Sequence, residues 1–316
     1  MSHIAIVGAS SSIAKDLIRA IYLADSYSLY LYVRDVAGMK AWLAHEGFSS
    51  RYDVLPYSCY GELAHDTVIN FIGVGDPSRA AAMGASIFEV TADYDRMILS
   101  ELKKNPHRKY LFLSSGAAYG RSFSVPVDEG TQAVVPINAI SPLDYYSVAK
   151  LYAEVQHRGY QDLSIIDVRV FNYFSRYQSL DARFFIADIV NAIIDGRKLT
   201  VSSDAMVRDF IHPADFYSLI ECLICAPAGN MAIDCYSLEP VEKIAMLEAM
   251  SESFGLDYEI IPGAVQSINA TGTKPNYYSR SRKAADFGYQ PKYSSLEGLT
   301  LEVSALLGRT HLTCEK

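Results

Sequence analysis

Through the first half of the chain, short apolar runs alternate with longer stretches whose apolar positions recur every three or four residues. His3 to Val7, Leu29 to Val33, Asp53 to Leu55, Thr67 to Ile72, Tyr110 to Ser114 and Ser164 to Val170 are mostly β-branched or aromatic. Gly, Ser, Asn or Asp bound most of them, so they read as strands. Ser12 to Leu23 and Ile87 to Lys104 read as helices. Such alternation predicts an α/β fold, a doubly wound parallel sheet with helices on both faces and right-handed crossovers. After about Phe171 the pattern loosens, and polar segments (Ser202 to Arg208, Gln266 to Ser281) interrupt further helices. This predicts a smaller C-terminal lobe.

The first strand runs into Gly8-Ala9-Ser10-Ser11-Ser12-Ile13-Ala14 and then a helix. A dinucleotide-binding fingerprint places glycines at the first, fourth and seventh positions of such a turn, here Gly8, Ser11 and Ala14. Gly8 suits the tight turn and Ala14 permits close helix packing, while Ser11 limits how closely a pyrophosphate approaches. Ser10, Ser11, Ser12 and Ile13 would face that phosphate at the helix start, where N–H groups and hydroxyls donate. The plainer reading is a Ser-rich helix cap. The second strand ends in Arg34-Asp35, beside the place an adenosine ribose would take. Arg34 at that tip points to the 2′-phosphate of NADP(H). A shift of one residue, putting Asp35 there, would favour NAD(H).

Tyr146 and Lys150 are four apart in Tyr146-Ser147-Val148-Ala149-Lys150, so a helix would set both on one face. A nearby ammonium favours the phenolate and lowers a phenol from its ordinary pKa of about 10, which would make Tyr146 a usable acid/base. With 23 tyrosines the spacing alone arises easily by chance; adjacent Tyr145 lacks it. Upstream, Leu113-Ser114-Ser115-Gly116-Ala117-Ala118-Tyr119-Gly120 follows an apolar strand, and Ser115 falls where the crevice of an open sheet begins.

These blocks, with Arg169-Val170-Phe171-Asn172, Arg208-Asp209-Phe210-Ile211-His212-Pro213-Ala214-Asp215, Lys283 to Pro291 and Leu296 to Leu299, occur in an order that resembles the extended short-chain dehydrogenase/reductase family. The likeness is to its nucleotide-sugar epimerases, dehydratases and reductases, and it covers nearly the whole chain. It implies Ser115, Tyr146 and Lys150 as a catalytic triad, with Ser115 also meeting the reacting sugar oxygen. It places Phe171 and Asn172 near nicotinamide and substrate phosphate, and Arg208 on the nucleotide diphosphate. Gly73, past the fourth strand, falls where the family keeps small residues beside the cofactor, and Phe71 and Ile72 just before it are further candidates to bind the cofactor. The chain departs from the family at Ser11 and Ala14, near Ser58, where an acid is usual, and at Thr91, where an asparagine is usual.

The resemblance also sorts the reactions. Dehydratases carry an Asp-Glu pair directly after the active-site hydroxyl, whereas Gly116 and Ala117 follow Ser115 here. The expected activity is an NADP(H)-dependent reduction of a keto group on a nucleotide-linked sugar, a 4-keto-6-deoxy-hexose nucleotide, with Tyr146 as acid/base. The alternatives are an NAD-dependent nucleotide-sugar 4-epimerase and, in another class, a non-catalytic dinucleotide sensor. The expected division is a Rossmann-type domain at residues 1–170, to which a segment near 208–235 returns. Residues 171–207 and 236–316 would then form the substrate-binding lobe. The family pattern also implies a homodimer through the helices 85–104 and the one bearing Tyr146.

Composition narrows the partners. A net charge of −8 gives no global attraction to nucleic acid or anionic membrane, so an anionic ligand needs a local basic site. Five irregularly spaced cysteines argue against a disulfide framework, and Cys222-Leu223-Ile224-Cys225 lacks the second pair that would complete a metal site. No metal is expected. The start of the chain lacks a secretory signal pattern and no apolar stretch is long enough to span a bilayer, which sets the cytoplasm as the expected location.

Overall fold

A computed structural model of the 316-residue chain describes residues 2–48, 51–73, 80, 82–121, 123–181, 184–262 and 274–308. Seven strands form one parallel sheet: β1 His3–Val7, β2 Ser28–Val33, β3 Asp53–Pro56, β4 Thr67–Asn70, β5 Lys109–Ser115, β6 Ser164–Val170 and, from the second half of the chain, β11 Asn230–Asp234. Their order is β11-β6-β5-β4-β1-β2-β3. This is the doubly wound Rossmann arrangement, and its strand order reverses between β1 and β4. At such a switch point the two neighbouring crossovers leave on opposite faces and open a crevice beyond the carboxyl ends of the strands.

Both faces are covered. On one, α1 (Ser12–Ala24), α2 (Val36–His45) and α6 (Pro213–Cys225) bury Leu17, Ile18, Ile21, Met39, Phe216, Leu219 and Leu223 against Ile4, Ile6, Leu31 and Ile166. On the other, α3 (Ser86–Lys104) and α4 (Tyr145–Arg158) cover Val7, Tyr110, Phe112 and Ile165 with Ile98, Leu99, Leu102 and Ala153. The spacing of these positions is that of single helix faces turned to a core.

A separate core forms toward the C-terminus from α5 (Phe185–Asp195), α7 (Lys243–Phe254) and α8 (Ser295–Leu306), through Ile189, Val190, Met246, Leu247, Met250 and Val303. Short strand pairs tie it to the sheet region. β7 (Asn172–Tyr173) runs parallel to β10 (Phe210–Ile211), and β13 (Tyr258–Ile261) parallel to β8 (Leu199–Ser202). β9 (Val207–Arg208) lies between antiparallel β12 (Val241–Glu242) and parallel β14 (Asn276–Tyr277).

Several sequence expectations shift. The strand expected over Thr67 to Ile72 stops at Asn70, because the Asn70 side-chain oxygen accepts from Ile72 N at 2.9 Å and turns the chain out of the ladder. The stretch Ser202 to Arg208, read as irregular, carries the end of β8 and all of β9. Of Gln266 to Ser281, residues 266–273 lie outside the described residues, and the remainder includes β14. Among the described residues no helix is long and apolar enough to cross a membrane.

Candidate active site

At the carboxyl edge of the sheet lies a cavity of about 510 Å³, within the range usual for small-molecule sites. Ser10, Ser11, Ser12 and Ile13 line it from the start of α1, and Phe71 and Gly73 from beyond β4. Ser115 enters from the end of β5, Tyr146 and Lys150 from α4, Phe171 and Asn172 from the end of β6, and Arg208 from β9. Three residues singled out in the sequence do not line it. Gly8 is buried within the turn, Ile72 packs against the core, and Arg34 stands exposed at the tip of β2.

The turn is built by close approach. Gly8 has φ +83°, and a Cβ there would come within 2.9–3.0 Å of Ile72 and the Phe71 backbone, so only glycine fits. Ser11 caps α1, its hydroxyl accepting from Ala14 N at 3.3 Å, while Ser10 and Ser12 remain exposed. Asp35 caps α2, its carboxylate accepting from Gly38 N at 2.9 Å. That leaves the neighbouring Arg34 as the side chain at the strand tip not engaged in capping.

The hydroxyls gather at the end of β5. Ser115 Oγ accepts from Ala117 N at 3.1 Å and lies 3.2 Å from Tyr277 Oη. Burial raises the Tyr146 phenol, and a hydrogen bond with Ser115 offsets part of the rise. The helix spacing predicts the opposite direction. Burial dominates, and the ammonium is anchored elsewhere: Lys150 Nζ donates to Leu113 O at 2.7 Å and sits 4.4 Å from the centre of the Phe112 ring. Burial in turn lowers Lys150 to about 8, against the pull of Glu154, Asp95 and Asp167. Tyr145 packs against Phe88 instead of entering the cavity, which settles which of the adjacent tyrosines faces it. Gly116 has no room for a side chain, since a Cβ would fall 2.4 Å from the Phe171 ring.

Among the described residues no carboxylate forms an ion pair with the basic side chains of the cavity. Arg208, 9% exposed, makes no ion pair with Asp209 or Asp215. Its guanidinium donates to Val207 O at 2.8 Å and Lys274 O at 2.7 Å, while Asp209 accepts from Ser237 and Ser295 and Asp215 from the Lys292 and Tyr293 amides. Burial pushes Arg208 down to about 10. Beside it lies Lys274, which together with Tyr277 the sequence reading missed. Both fall in a segment without periodicity, and no spacing there marks them. Tyr277 spans the two groups: its hydroxyl reaches Ser115, and its ring lies 4.8 Å from Lys274 Nζ and 5.8 Å from Arg208 Cζ. Asn172 keeps its place at the cavity but spends one amide donor on Asp209 O at 3.1 Å.

A family model described as the NAD dependent epimerase/dehydratase family matches residues 4–233. A search of curated proteins returned no match. Solved structures match at full length. A dTDP-glucose 4,6-dehydratase from Bacillus anthracis in complex with NAD is 19% identical over 96% of both chains, with a TM-score of 0.76. A UDP-glucose 4-epimerase from Thermotoga maritima with UDP-glucose is 17% identical, over 97% of this chain and 99% of that one, with a TM-score of 0.77. A UDP-N-acetylglucosamine 4-epimerase from Methanobrevibacter ruminantium with UDP-N-acetylmuramic acid is 16% identical, over 97% and 98%, with a TM-score of 0.78. At these identities the likeness is one of fold, while the family model spans well over half of the chain. The protein therefore belongs to the NAD-dependent epimerase/dehydratase family.

Proposed function

We propose that the protein binds a nicotinamide dinucleotide over the Ser10–Ile13 turn and a nucleotide-diphosphate sugar at Arg208, and transfers hydride at a carbinol or ketone carbon of the sugar. What carries this reading is one cavity that holds Ser115, Tyr146 and Lys150 together with two basic side chains that pair with no carboxylate among the described residues. The turn fits a dinucleotide: glycine at Gly8 keeps the backbone close to Ile72, and the open start of α1 offers N–H donors to a pyrophosphate. Phe71, Gly73 and Phe171 would border the ring. When bound, the nicotinamide supplies a two-electron acceptor or donor at the reacting carbon.

The chain's own residues do the rest. Arg208 grips phosphate oxygens through its planar fork. Ser115 donates to the sugar oxygen and holds it beside Tyr146. Tyr146 gives that oxygen a proton, or removes one. Lys150, fixed by Leu113 O, would meet the cofactor ribose. The absence of room at Gly116 supports hydride transfer without elimination of water.

Within this reading the reaction is reduction of a keto-sugar nucleotide, a 4-keto-6-deoxy-hexose nucleotide, with NADP(H). Support comes from Arg34, free at the β2 tip while Asp35 caps α2. A second reading, an NAD-dependent 4-epimerase, draws on the family description and on NAD in solved neighbours. Purified protein incubated with the keto-sugar nucleotide and NADPH should consume NADPH faster than NADH. Turnover of a nucleotide sugar with no cofactor added would replace this reading with the second. Residues 1–170 with 208–235 as the dinucleotide part, 171–207 and 236–316 as the sugar-binding part, and a homodimer through α3 and α4 belong to the same proposal.

A further inference from the structure

Lys274 is 4% exposed, and among the described residues its Nζ meets no hydrogen-bond acceptor. What surrounds it can be followed element by element. From β9 comes Arg208, a like charge whose guanidinium donates to the Lys274 carbonyl at 2.7 Å. From β14 and the segment after β5 come the rings of Tyr277 and Phe123, each 4.8 Å from Nζ. Just ahead of α4 stands Asp144, the acid that acts on Lys274, but Arg121 already holds it with two hydrogen bonds of 2.7 and 2.6 Å. Asp144 also accepts from Ser141 N and Oγ. The Tyr146 phenol lines the same cavity. Two buried basic groups thus share a pocket to which the described residues supply no free carboxylate.

An arginine keeps its proton under such conditions, whereas a buried lysine releases one readily. Burial first, and the Arg208 charge second, push the Lys274 amine down to about 7. A diphosphate entering the cavity would bring the missing negative charge and reverse the balance. We propose that Lys274 is a proton-coupled ligand for the diphosphate, taking a proton from solution as the nucleotide sugar binds beside Arg208. The inference rests on the nucleotide-sugar reading above and adds a linkage to it: ligand affinity falls with rising pH above neutrality, because the empty site must first charge its lysine.

The test is calorimetric titration of the full chain, saturated with its dinucleotide so that Lys150 is already settled. The ligands are UDP-glucose, dTDP-glucose and GDP-mannose, whose diester pyrophosphates do not titrate near neutrality. Running each titration in buffers of different ionisation enthalpy gives the protons taken up per ligand. At pH 8 the protein should take up about 0.9 proton per ligand bound, and at pH 6 about 0.1. Lys274→Arg should still bind, with the uptake at pH 8 lost. Lys274→Met should also lose the uptake and bind at least about tenfold more weakly. Tight binding without uptake at pH 8, or the same uptake in both variants, overturns the linkage and leaves the nucleotide-sugar reading standing. If none of the three ligands binds, the nucleotide-sugar reading itself falls, and the linkage with it.

Discussion

Tyr146 and Lys150 lie one helical turn apart on α4 and both reach the cavity, yet the ammonium is anchored to Leu113 O and burial raises the phenol. Position and protonation were therefore legible to different degrees. The four-residue spacing and the strand end at Ser115 follow from local geometry and can be read from sequence. The direction of a pKa shift depends on desolvation and on where Nζ points, which the fold decides. As proposed acid/base, Tyr146 carries the sharpest prediction at this scale. Tyr146→Phe should lower kcat/KM by about 10²–10⁴ while dinucleotide affinity, followed by fluorescence titration, stays unchanged. A variant with wild-type turnover would remove Tyr146 from the chemistry.

The buried face of α4 shows why an element's pattern can mislead. It comprises Ala149, Lys150, Ala153, Glu154 and His157, so three ionisable side chains occupy core positions. Each has its partner in a neighbouring element. Glu154 pairs with Arg169 of β6 and accepts from Ser114 of β5 at 2.5 Å. His157 lies between Asp167 of β6, at 2.6 Å, and Asp95 of α3, at 2.9 Å. Asp95 in turn accepts from Tyr110, which accepts from Asn70, the residue that ends β4. Periodicity counts such residues as polar and cannot foresee the network that lets them be buried.

Burial alone would lower His157, but Asp167 and Asp95 outweigh it and raise the imidazole to about 9. A histidine raised on folding contributes stability that is complete below its unfolded pKa of about 6.5 and is lost as pH climbs through 9. The Tm should therefore decline between roughly pH 6.5 and 9, beyond any general alkaline drift. His157→Gln should be less stable at pH 6 and show a flatter profile across that window in thermal melts. Parallel profiles for the two proteins would exclude the charged imidazole as the cause.

Across the molecule, the chain between β7 and α5 is pinned on both sides. Tyr173 donates to Asp16 of α1 at 2.9 Å, Arg176 pairs with Glu302 of α8 at 2.7 Å, and His212 reaches the same carboxylate at 3.2 Å. These contacts join the sheet region to the C-terminal core around the cavity. On the outer side of α4, Tyr152 is 54% exposed and Val155 61%, an apolar pair suited to the proposed α3–α4 dimer contact. Light scattering should give twice the 35.0 kDa chain mass, and Val155→Lys with Tyr152→Lys should return the monomer. A monomeric wild-type mass would remove the dimer from the proposal.

The sequence by itself determined the parallel α/β sheet, the glycine turn at Gly8, Ser115 at a strand end and Tyr146 one turn from Lys150. Each is a matter of neighbours along the chain, where periodicity and backbone sterics act. Only the tertiary structure decided that Lys274 and Tyr277 stand beside Arg208, that Asp144 is held by Arg121, and that no carboxylate among the described residues neutralises the two basic groups. Those facts depend on segments 23 to 66 residues apart sharing one desolvated space, and burial and charge proximity leave no periodic mark in a sequence.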